Sequence, residues 1–533
     1  MLKANSMKKI LLFSVVLVGL IGWMLTAALD PVVFNLPAGI FDPSEKDTLK
    51  VSDVVIPMAP ANNKRPPNII VILADDLGWG DISVQGSKAI ETPNIDNLAS
   101  QGVRLTNFYA SASICSPSRA GLLTGRYPLR TGFANVLAAA DDTFIRKTMM
   151  SVSVGFSKLG ISDLVGGAPS IKGLPVSEIT IPEALQTKGY RTLGIGKWHL
   201  GDFTYFPEFH PHNHGFERFY GYNMSNDDWP VALWRDQEEL IKDIGINQSN
   251  HTKEFTQETV KAIHEWKDQP YFIYMAHKDP HQPFYPSPEF VGKSRGGPYG
   301  DAVSEFDWSV GEVMQALKDT QQLDNTLVIV TSDNGPWYEG TTGGLRGRKG
   351  QSYDGGFKVP FIASLPGTVT AGAVTEMPTM NIDLLPTIFS LAGLNTPTDR
   401  VIDGVDLMPL LTDSAPQEKT YDRPLYFFHE YDVEAVRQGD WKFIHDISHY
   451  VWPVPLDKNV MVSGQAANSR DYYPEGSDVG IPTLGVWPLL YDLEVDKAEG
   501  YNVAKRYPEL VDKFSKQLNQ WQSDFMENPR GWK

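Results

Sequence analysis

The stretch Ile69-Ile70-Val71-Ile72-Leu73-Ala74-Asp75-Asp76 decides the fold class of this 533-residue chain. Six consecutive apolar residues are typical of a central strand that is covered on both faces, and two carboxylates follow it directly. Adjacent carboxylates repel each other. The pair is therefore either a solvated turn or part of a site for a divalent cation, which takes oxygen ligands.

The same pattern, an apolar strand that ends in polar residues, recurs along the chain. Strands are predicted over 103–109, 191–196, 271–276, 327–331 and 359–364, and helices over 92–102, 180–189, 255–266, 300–318 and 384–392. This alternation predicts an α/β fold with a large mixed, mostly parallel sheet flanked by helices. Ligands of such sheets gather beyond the carboxyl ends of the strands. The candidate site residues that follow predicted strands are Asp75, Asp76, Lys197, His199, His281, Asp333 and Asn334.

A second stretch, residues 113–126, contains the only cysteine of the chain, Cys115. Pro117 is tolerated in the first turn of a helix, so Cys115 is predicted at a helix N-terminus, where free N–H groups favour an anion. Arg119 would project from the same turn. A lone cysteine is usually a small buried hydrophobic residue. Its serine, proline and arginine neighbours instead indicate a place that holds an anionic group against a reactive side chain.

The Cys115 stretch resembles the signature of type I sulfatases, Cys-x-Pro-Ser-Arg followed by Leu-Thr-Gly-Arg. Further matches to that family stand at Asp75-Asp76, 196–199, 280–281, 333–335, 348–350 and 490–493. The resemblance covers nearly all of residues 67–530. It implies an alkaline-phosphatase-like sandwich and the hydrolysis of an aryl or carbohydrate sulfate ester.

The resemblance also implies a role for each matching residue. Cys115 would be oxidised to formylglycine by a maturation enzyme, and its hydrated aldehyde would be the nucleophile. One Ca²⁺, rather than Mg²⁺, would be bound by the formylglycine together with Asp75, Asp76, Asp333 and Asn334. Asp333 would also help to deprotonate the nucleophile, and Arg119 would steady it. The groups implied to bind sulfate or transfer protons are Lys197, Lys349, His281 and His199.

The net charge and the N-terminal sequence indicate where the protein is located and which partners it lacks. The net charge of −17 argues against a nucleic-acid partner. Lysines at positions 3, 8 and 9 precede an apolar run over 10–29, which predicts export to the periplasm or the medium, or an inner-membrane anchor if the run is not cleaved. The predicted organisation is a signal peptide or anchor over 1–29, a linker over 30–66, a catalytic domain over 67–423 and a C-terminal subdomain over 424–533. That subdomain would hold a short antiparallel sheet, with strands over 425–429, 436–437 and 441–444, and a terminal helix.

Two other functions remain open at this stage. One is a phosphodiesterase or phosphonate monoester hydrolase on the same scaffold, and the other is a non-catalytic exported binding protein. Residues 133–172 form an insertion relative to the sulfatase pattern. Our hypothesis is that this insertion makes a rim or a lid over the site. The candidates for lining a sugar or aryl pocket, each weighed against ordinary packing, are Trp229, Trp234, Trp337, His445 and His449.

Overall fold

A computed structural model of the protein describes residues 51–55, 57, 65–137, 172–228, 230–412, 422–447 and 487–533. The predicted signal peptide or anchor over 1–29, most of the 133–172 insertion, Trp229 and His449 lie outside these residues. Within the described residues, no helix combines the length and the apolar character needed to cross a bilayer.

The strands of the described residues form three sheets. Their bounds are β1 Asn68–Ala74, β2 Val103–Leu105, β3 Phe108–Tyr109, β4 Arg191–Lys197, β5 Arg218–Tyr222, β6 Leu233–Arg235, β7 Glu238–Ile241, β8 Tyr271–Ala276, β9 Thr326–Ser332, β10 Phe361–Ser364, β11 Ala373–Thr375, β12 Thr379–Met380, β13 Leu425–His429, β14 Asp432–Gln438, β15 Trp441–Ile444 and β16 Leu489–Asp492.

The α-helices of the described residues vary in length from one turn to six. Their bounds are α1 Val51–Val54, α2 Pro93–Gln101, α3 Cys115–Thr124, α4 Ile181–Gln186, α5 His251–Glu265, α6 Gly297–Asp319, α7 Asp354–Phe357, α8 Leu384–Ala392, α9 Met408–Leu411 and α10 Pro508–Glu527.

The large sheet has ten strands in the order β11-β2-β10-β9-β1-β8-β4-β5-β6-β7. The central strands β9, β1, β8, β4 and β5 are parallel, and antiparallel pairs join β10, β6 and β7 to them. Every residue of β1, β8 and β9 is buried. Continuous apolar runs form these strands because both faces of the sheet are covered by helices. The predicted mixed, mostly parallel sheet is confirmed.

Two groups of helices pack on this sheet. Helix α6 contacts α2 and α5, while α8 contacts α3 and α4. Local signals predicted several of their ends: Thr180 and Glu183 form the capping box of α4, and Gly393 ends α8 with a φ of 70°. The α3 helix starts at Cys115, as predicted.

The C-terminal sheet is antiparallel in the order β13-β14-β15-β16. Helix α10 packs against it through Phe514, Leu518 and Phe525, and their apolar cluster also takes in Tyr109 and Tyr127 from the preceding part of the chain. The predicted short antiparallel sheet and terminal helix are therefore present, and they share a core with the region that precedes them.

Three segments differ from the sequence-based expectations. Within the predicted linker, Val54 and Val55 are buried in the main core, because α1 packs against α4. The strand predicted over 103–109 is split into β2 and β3, which pair with different sheets. The strand predicted over 436–437 extends over Asp432–Gln438, because it pairs with β13 on one side and β15 on the other.

Candidate active site

The predicted site residues meet at one edge of the large sheet. Ala74 at the end of β1 is paired with Ser332 at the end of β9, so Asp75 and Asp333 leave the sheet side by side. On the other side of β1 lies β8, followed by β4, whose last residue is Lys197. The parallel order β9-β1-β8-β4 brings the carboxyl ends of four strands together.

Lys197 reaches this edge through a close approach of neighbouring backbones. The preceding Gly196 has a φ of 88°, and a Cβ there would lie 1.9 Å from the carbonyl oxygen of Ala276. Only glycine is compatible with this geometry, since a side chain would collide with the backbone of β8. Two other site residues adopt left-handed backbone conformations, Asp76 with a φ of 65° and His199 with a φ of 55°. Such conformations carry strain and concentrate at functional sites.

Asp75 lies between a lysine and the cysteine. Its Oδ2 is 2.6 Å from the Nζ of Lys197, and its Oδ1 is 3.6 Å from the Sγ of Cys115. Burial alone would raise the pKa of Asp75, but Lys197, His281 and Arg119 hold that pKa well below its usual value. The carboxylate is therefore ionised.

Cys115 occupies the first turn of α3 with its thiol buried among charges. Its Sγ is 3.7 Å from Lys197 Nζ. Burial raises the pKa of the Cys115 thiol, and Lys197 and Lys349 only partly oppose the effect. The unmodified side chain is consequently a protonated thiol at neutral pH, which is a poor nucleophile.

Asp333 is held by Arg119, which is fully buried on α3. The Nε and Nη2 atoms of Arg119 lie 2.9 and 2.8 Å from Asp333 Oδ2, and its Nη1 donates to the carbonyl of Lys197 at 2.7 Å. Burial and the neighbouring Asp75 raise the pKa of Asp333 to about 7, although Arg119 opposes this. The guanidinium thus joins the ends of β9 and β4 to the helix that bears the cysteine.

Asp76 has three polar neighbours. Lys349 Nζ lies 2.8 Å from Asp76 Oδ2, His281 Nε2 lies 3.6 Å from the same oxygen, and Asn334 Nδ2 donates to Asp76 Oδ1 at 2.6 Å. Burial and Lys349 lower the pKa of His281, so the imidazole is neutral at pH 7. Burial would lower the pKa of Lys349, but Asp76 raises it well above the usual value.

One group of metal-binding side chains has its ligand atoms within 4.8 Å of one another, and it comprises Asp75, Asp76, Cys115 and His281. Asp333 is not in this group, although its Oδ1 accepts the N–H of Asp76 at 3.2 Å. The Oδ1 of Asn334 is buried and has no hydrogen-bond partner among the described residues. A buried carbonyl oxygen without a partner costs free energy, and a cation at this point would satisfy it. The carboxylates and this amide oxygen fit a hard divalent cation.

His199 lies beside the start of the undescribed segment. Its Nε2 is 3.0 Å from the carbonyl oxygen of Leu137, and burial and Lys197 lower the pKa of its imidazole well below the usual value. Leu174 donates its N–H to the carbonyl of Leu200 at 2.7 Å. Leu137 and Leu174, which flank the undescribed residues 138–171, therefore both lie close to His199.

Three of the remaining candidates, Trp234, Trp337 and His445, lie in the described part of the chain. Trp234 packs on Phe203 with ring centroids 5.3 Å apart, and His445 is exposed on the C-terminal sheet. Trp337 is half-buried, and its carbonyl accepts a hydrogen bond from Arg348 at 2.8 Å. This ring contact of Trp234 agrees with the interpretation that the residue serves ordinary packing.

A carboxylate that sequence reasoning missed lies near the cations of the site. Asp227 follows β5, and His281, Lys197 and Lys349 lower its pKa against the effect of burial. The available signal was the aromatic run Arg218–Tyr222, which ends in the polar residues of 223–228 in the same way as the other strands.

Comparisons with known proteins agree with this geometry. A family model described as Sulfatase matches residues 67–394. Models for the C-terminal part of N-sulphoglucosamine sulphohydrolase and for the C-terminal region of aryl-sulfatase match residues 348–450 and 420–531.

Individual relatives extend the likeness over most of the chain. Human N-acetylgalactosamine-6-sulfatase is 36% identical over 406 residues, covering 72% of each chain. Human arylsulfatase A is 35% identical over 484 residues, covering 84% of this chain and 86% of the relative. The PsFucS1 sulfatase from Pseudoalteromonas sp. superposes with a TM-score of 0.70 at 27% identity, covering 87% of this chain and 92% of that one.

Proposed function

The chain belongs to the sulfatase family and is a sulfuric ester hydrolase, and from this premise we propose that it cleaves carbohydrate or aryl sulfates with a formylglycine made from Cys115 and with a bound Ca²⁺. The observation that carries the proposal is the position of the Cys115 Sγ, 3.6 Å from Asp75 Oδ1 and 3.7 Å from Lys197 Nζ. Any group that replaces this sulfur lies between a carboxylate and a cation that can hold an anionic substrate.

Asp75, Asp76, Asp333 and Asn334, together with the modified residue 115, would hold the Ca²⁺. The bound cation supplies positive charge that lowers the energy of the nucleophile and of the sulfate oxygens. The three carboxylates already have three basic partners, Lys197, Lys349 and Arg119. A divalent cation therefore leaves the site with an excess positive charge that favours a sulfate ester.

In the first step, one hydroxyl oxygen of the hydrated aldehyde attacks sulfur, and the bond between sulfur and the ester oxygen breaks. Asp333 accepts the proton of the attacking hydroxyl, and Arg119 holds Asp333 in place. Lys197 and Lys349 bind the sulfate oxygens. The proton that the departing alcohol takes up comes from the protonated Lys349 and is passed on by the neutral imidazole of His281, and Asp76 holds both residues nearby.

In the second step, the remaining hydroxyl of residue 115 loses its proton to His199. The carbon–oxygen bond to sulfate breaks, the aldehyde forms again and sulfate leaves. The buried imidazole of His199 is suited to this role, because its lowered pKa keeps it neutral before the transfer. Covalent catalysis of this kind replaces one difficult displacement with two easier ones.

The proposal extends to substrate and location. Sulfated sugars are the first substrate class to test, because the relative named N-acetylgalactosamine-6-sulfatase is 36% identical. The protein would be exported and would need a formylglycine-generating enzyme in the producing cell. The lysines and the apolar run over 10–29 support export.

The test compares protein produced with and without a formylglycine-generating enzyme. Peptide mass spectrometry measures conversion at residue 115, and initial rates are measured on 4-nitrophenyl sulfate and bis(4-nitrophenyl) phosphate at equal concentration. We expect sulfate hydrolysis in proportion to the converted fraction and a much lower phosphodiester rate. Sulfate turnover by protein with an intact thiol, or a faster phosphodiester rate, contradicts the proposal.

A further inference from the structure

Asp227 lies at the same edge of the sheet as the catalytic cluster. It follows β5, which is paired with β4, the strand that ends in Lys197. The neighbouring Asn226 donates from Nδ2 to the carbonyl of Gln282 at 3.2 Å, and Gln282 directly follows His281. The segments that follow β5 and β8 therefore meet next to Asp227.

Buried hydrogen bonds hold the turn that carries Asp227 in place. Asn226 and Gln248 are both buried, and they exchange hydrogen bonds: Gln248 Nε2 donates to the Asn226 carbonyl at 2.7 Å, and Asn226 Nδ2 donates to Gln248 Oε1 at 3.2 Å. Asp228 Oδ2 accepts the N–H of Ser225 at 3.1 Å. This turn cannot change its direction without breaking buried hydrogen bonds, so the position of Asp227 is set by the fold.

The Asp227 carboxylate differs from the inner carboxylates of the site. Asp75, Asp76 and Asp333 are buried, and each has a basic partner within 2.8 Å. Asp227 is an exposed residue, and among the described residues its side chain makes one hydrogen bond, from Ser225 Oγ to Oδ1, and no ion pair. The other carboxylate oxygen, Oδ2, therefore has no hydrogen-bond partner among the described residues.

The cations that act on Asp227 are those proposed to bind the sulfate group. His281 in its protonated form, Lys197 and Lys349 lower the pKa of Asp227 against the effect of burial. The turn that carries Asp227 is joined to the segment that carries His281, so the exposed carboxylate lies on the same edge of the sheet as these residues. An ionised carboxylate accepts hydrogen bonds from hydroxyl groups and repels a second anion.

Resting on the function proposed above, we infer that Asp227 selects the substrate class. The site favours a sulfate ester whose neighbouring group is an uncharged hydrogen-bond donor, such as a sugar hydroxyl. It disfavours an ester that carries a second sulfate or a carboxylate at that place. Asp227 is thus a specificity-determining residue outside the chemical steps.

The experiment compares the wild type with Asp227→Asn, which keeps the size and a hydrogen-bond acceptor and removes only the charge. The substrates are 4-nitrophenyl sulfate, N-acetylgalactosamine 6-sulfate and N-acetylgalactosamine 4,6-disulfate. The measured quantity is the ratio of kcat/KM for the monosulfate over the disulfate. Glu238→Gln, a charge removal on the exposed edge strand β7, is the matched control.

We expect Asp227→Asn to lower this ratio about three- to tenfold, the effect of one charge about 6 Å away at an effective dielectric constant between 40 and 80. The difference between wild type and variant should shrink in 0.5 M salt, because salt screens exposed charges. The control should leave the ratio unchanged. A merely structural role of Asp227 would lower all rates together and would not depend on salt.

An unchanged ratio in Asp227→Asn, or one that changes equally in the control, overturns the inference. So does a wild type that hydrolyses 4-nitrophenyl sulfate but no sugar monosulfate, and in both cases the proposed function stands. If converted wild-type protein hydrolyses no sulfate ester at all, the proposed function fails, and the inference fails with it.

Discussion

The Asn334 side chain offers a direct test of the metal site. Its Oδ1 is buried without a partner among the described residues, while its Nδ2 donates to Asp76 at 2.6 Å and to the Gly335 carbonyl at 2.9 Å. We predict that Asn334→Ala weakens Ca²⁺ binding, because it removes one neutral oxygen ligand and leaves the three carboxylates. The control is Asn68→Ala, a buried asparagine at the opposite end of β1.

The expected size of the effect on Ca²⁺ binding follows from the charges of the site. The carboxylates are already neutralised by Lys197, Lys349 and Arg119, so the site should bind Ca²⁺ with a dissociation constant of about 10⁻⁵ M, in the range of moderate protein sites. At 1 mM Ca²⁺ this stabilises the folded state by about 2.7 kcal/mol. A ten- to hundredfold weaker site in Asn334→Ala would reduce that gain to about 0.4–1.4 kcal/mol.

The assay is a titration of chelator-treated protein with Ca²⁺, followed by isothermal calorimetry and by thermal unfolding. For a chain of this size we expect the wild-type melting temperature to rise by about 3 °C at 1 mM Ca²⁺. Asn68→Ala should lower the melting temperature and keep the full Ca²⁺-induced rise. If Asn334→Ala binds Ca²⁺ as tightly as the wild type, or if the wild type does not bind it, the reasoning about this site is refuted.

Three other perturbations test separate parts of the account. Cys115→Ser should abolish turnover or retain a covalent sulfate, which intact-mass spectrometry after incubation with substrate would detect; steady turnover would contradict the two-step chemistry. The buried carboxylate of Glu178 lies 2.7 Å from Arg126 and 2.6 Å from Arg530. Glu178→Gln should lower the free energy of unfolding by about 3–5 kcal/mol, because it leaves these buried arginines without their carboxylate. Chemical denaturation measures this loss. Burial and the charge of Asp279 raise the pKa of Glu305 from 4.5 to about 7. Between these pH values the folded state keeps a proton that the unfolded chain has released. The free energy of unfolding should therefore fall as the pH rises from about 4.5 to about 7. Glu305→Gln should remove up to about 3 kcal/mol of this decline, and equal pH dependence in variant and wild type would refute the assignment.

Much of the site could be predicted from local sequence signals. The apolar run ending at Ala74 is a buried strand, and Asp75 and Asp76 follow it at the carboxyl edge of the sheet. The first turn of a helix begins at Cys115, as Pro117 indicated. These features depend on hydrophobic periodicity and helix-start chemistry, which act over a few residues and are therefore visible in the sequence.

Residues that pair across the fold were less predictable. No local pattern indicates that the His281 ring lies close to the ligand atoms of Asp75, Asp76 and Cys115, and Asp333 stays a predicted metal ligand. Asp227 was missed altogether, because β5 carries aromatic residues and a glycine instead of a continuous aliphatic run.

The sequence by itself determined which residues end the strands and begin the helix, and thus which chemical groups are available at the edge of the sheet. Only the tertiary structure decided how those groups pair: Asp75 with Lys197, Asp76 with Lys349, and Asp333 with Arg119. The physical reason is that side-chain pairing depends on the strand order β9-β1-β8-β4-β5. That order arises from packing between segments far apart in the chain, and no local pattern encodes it.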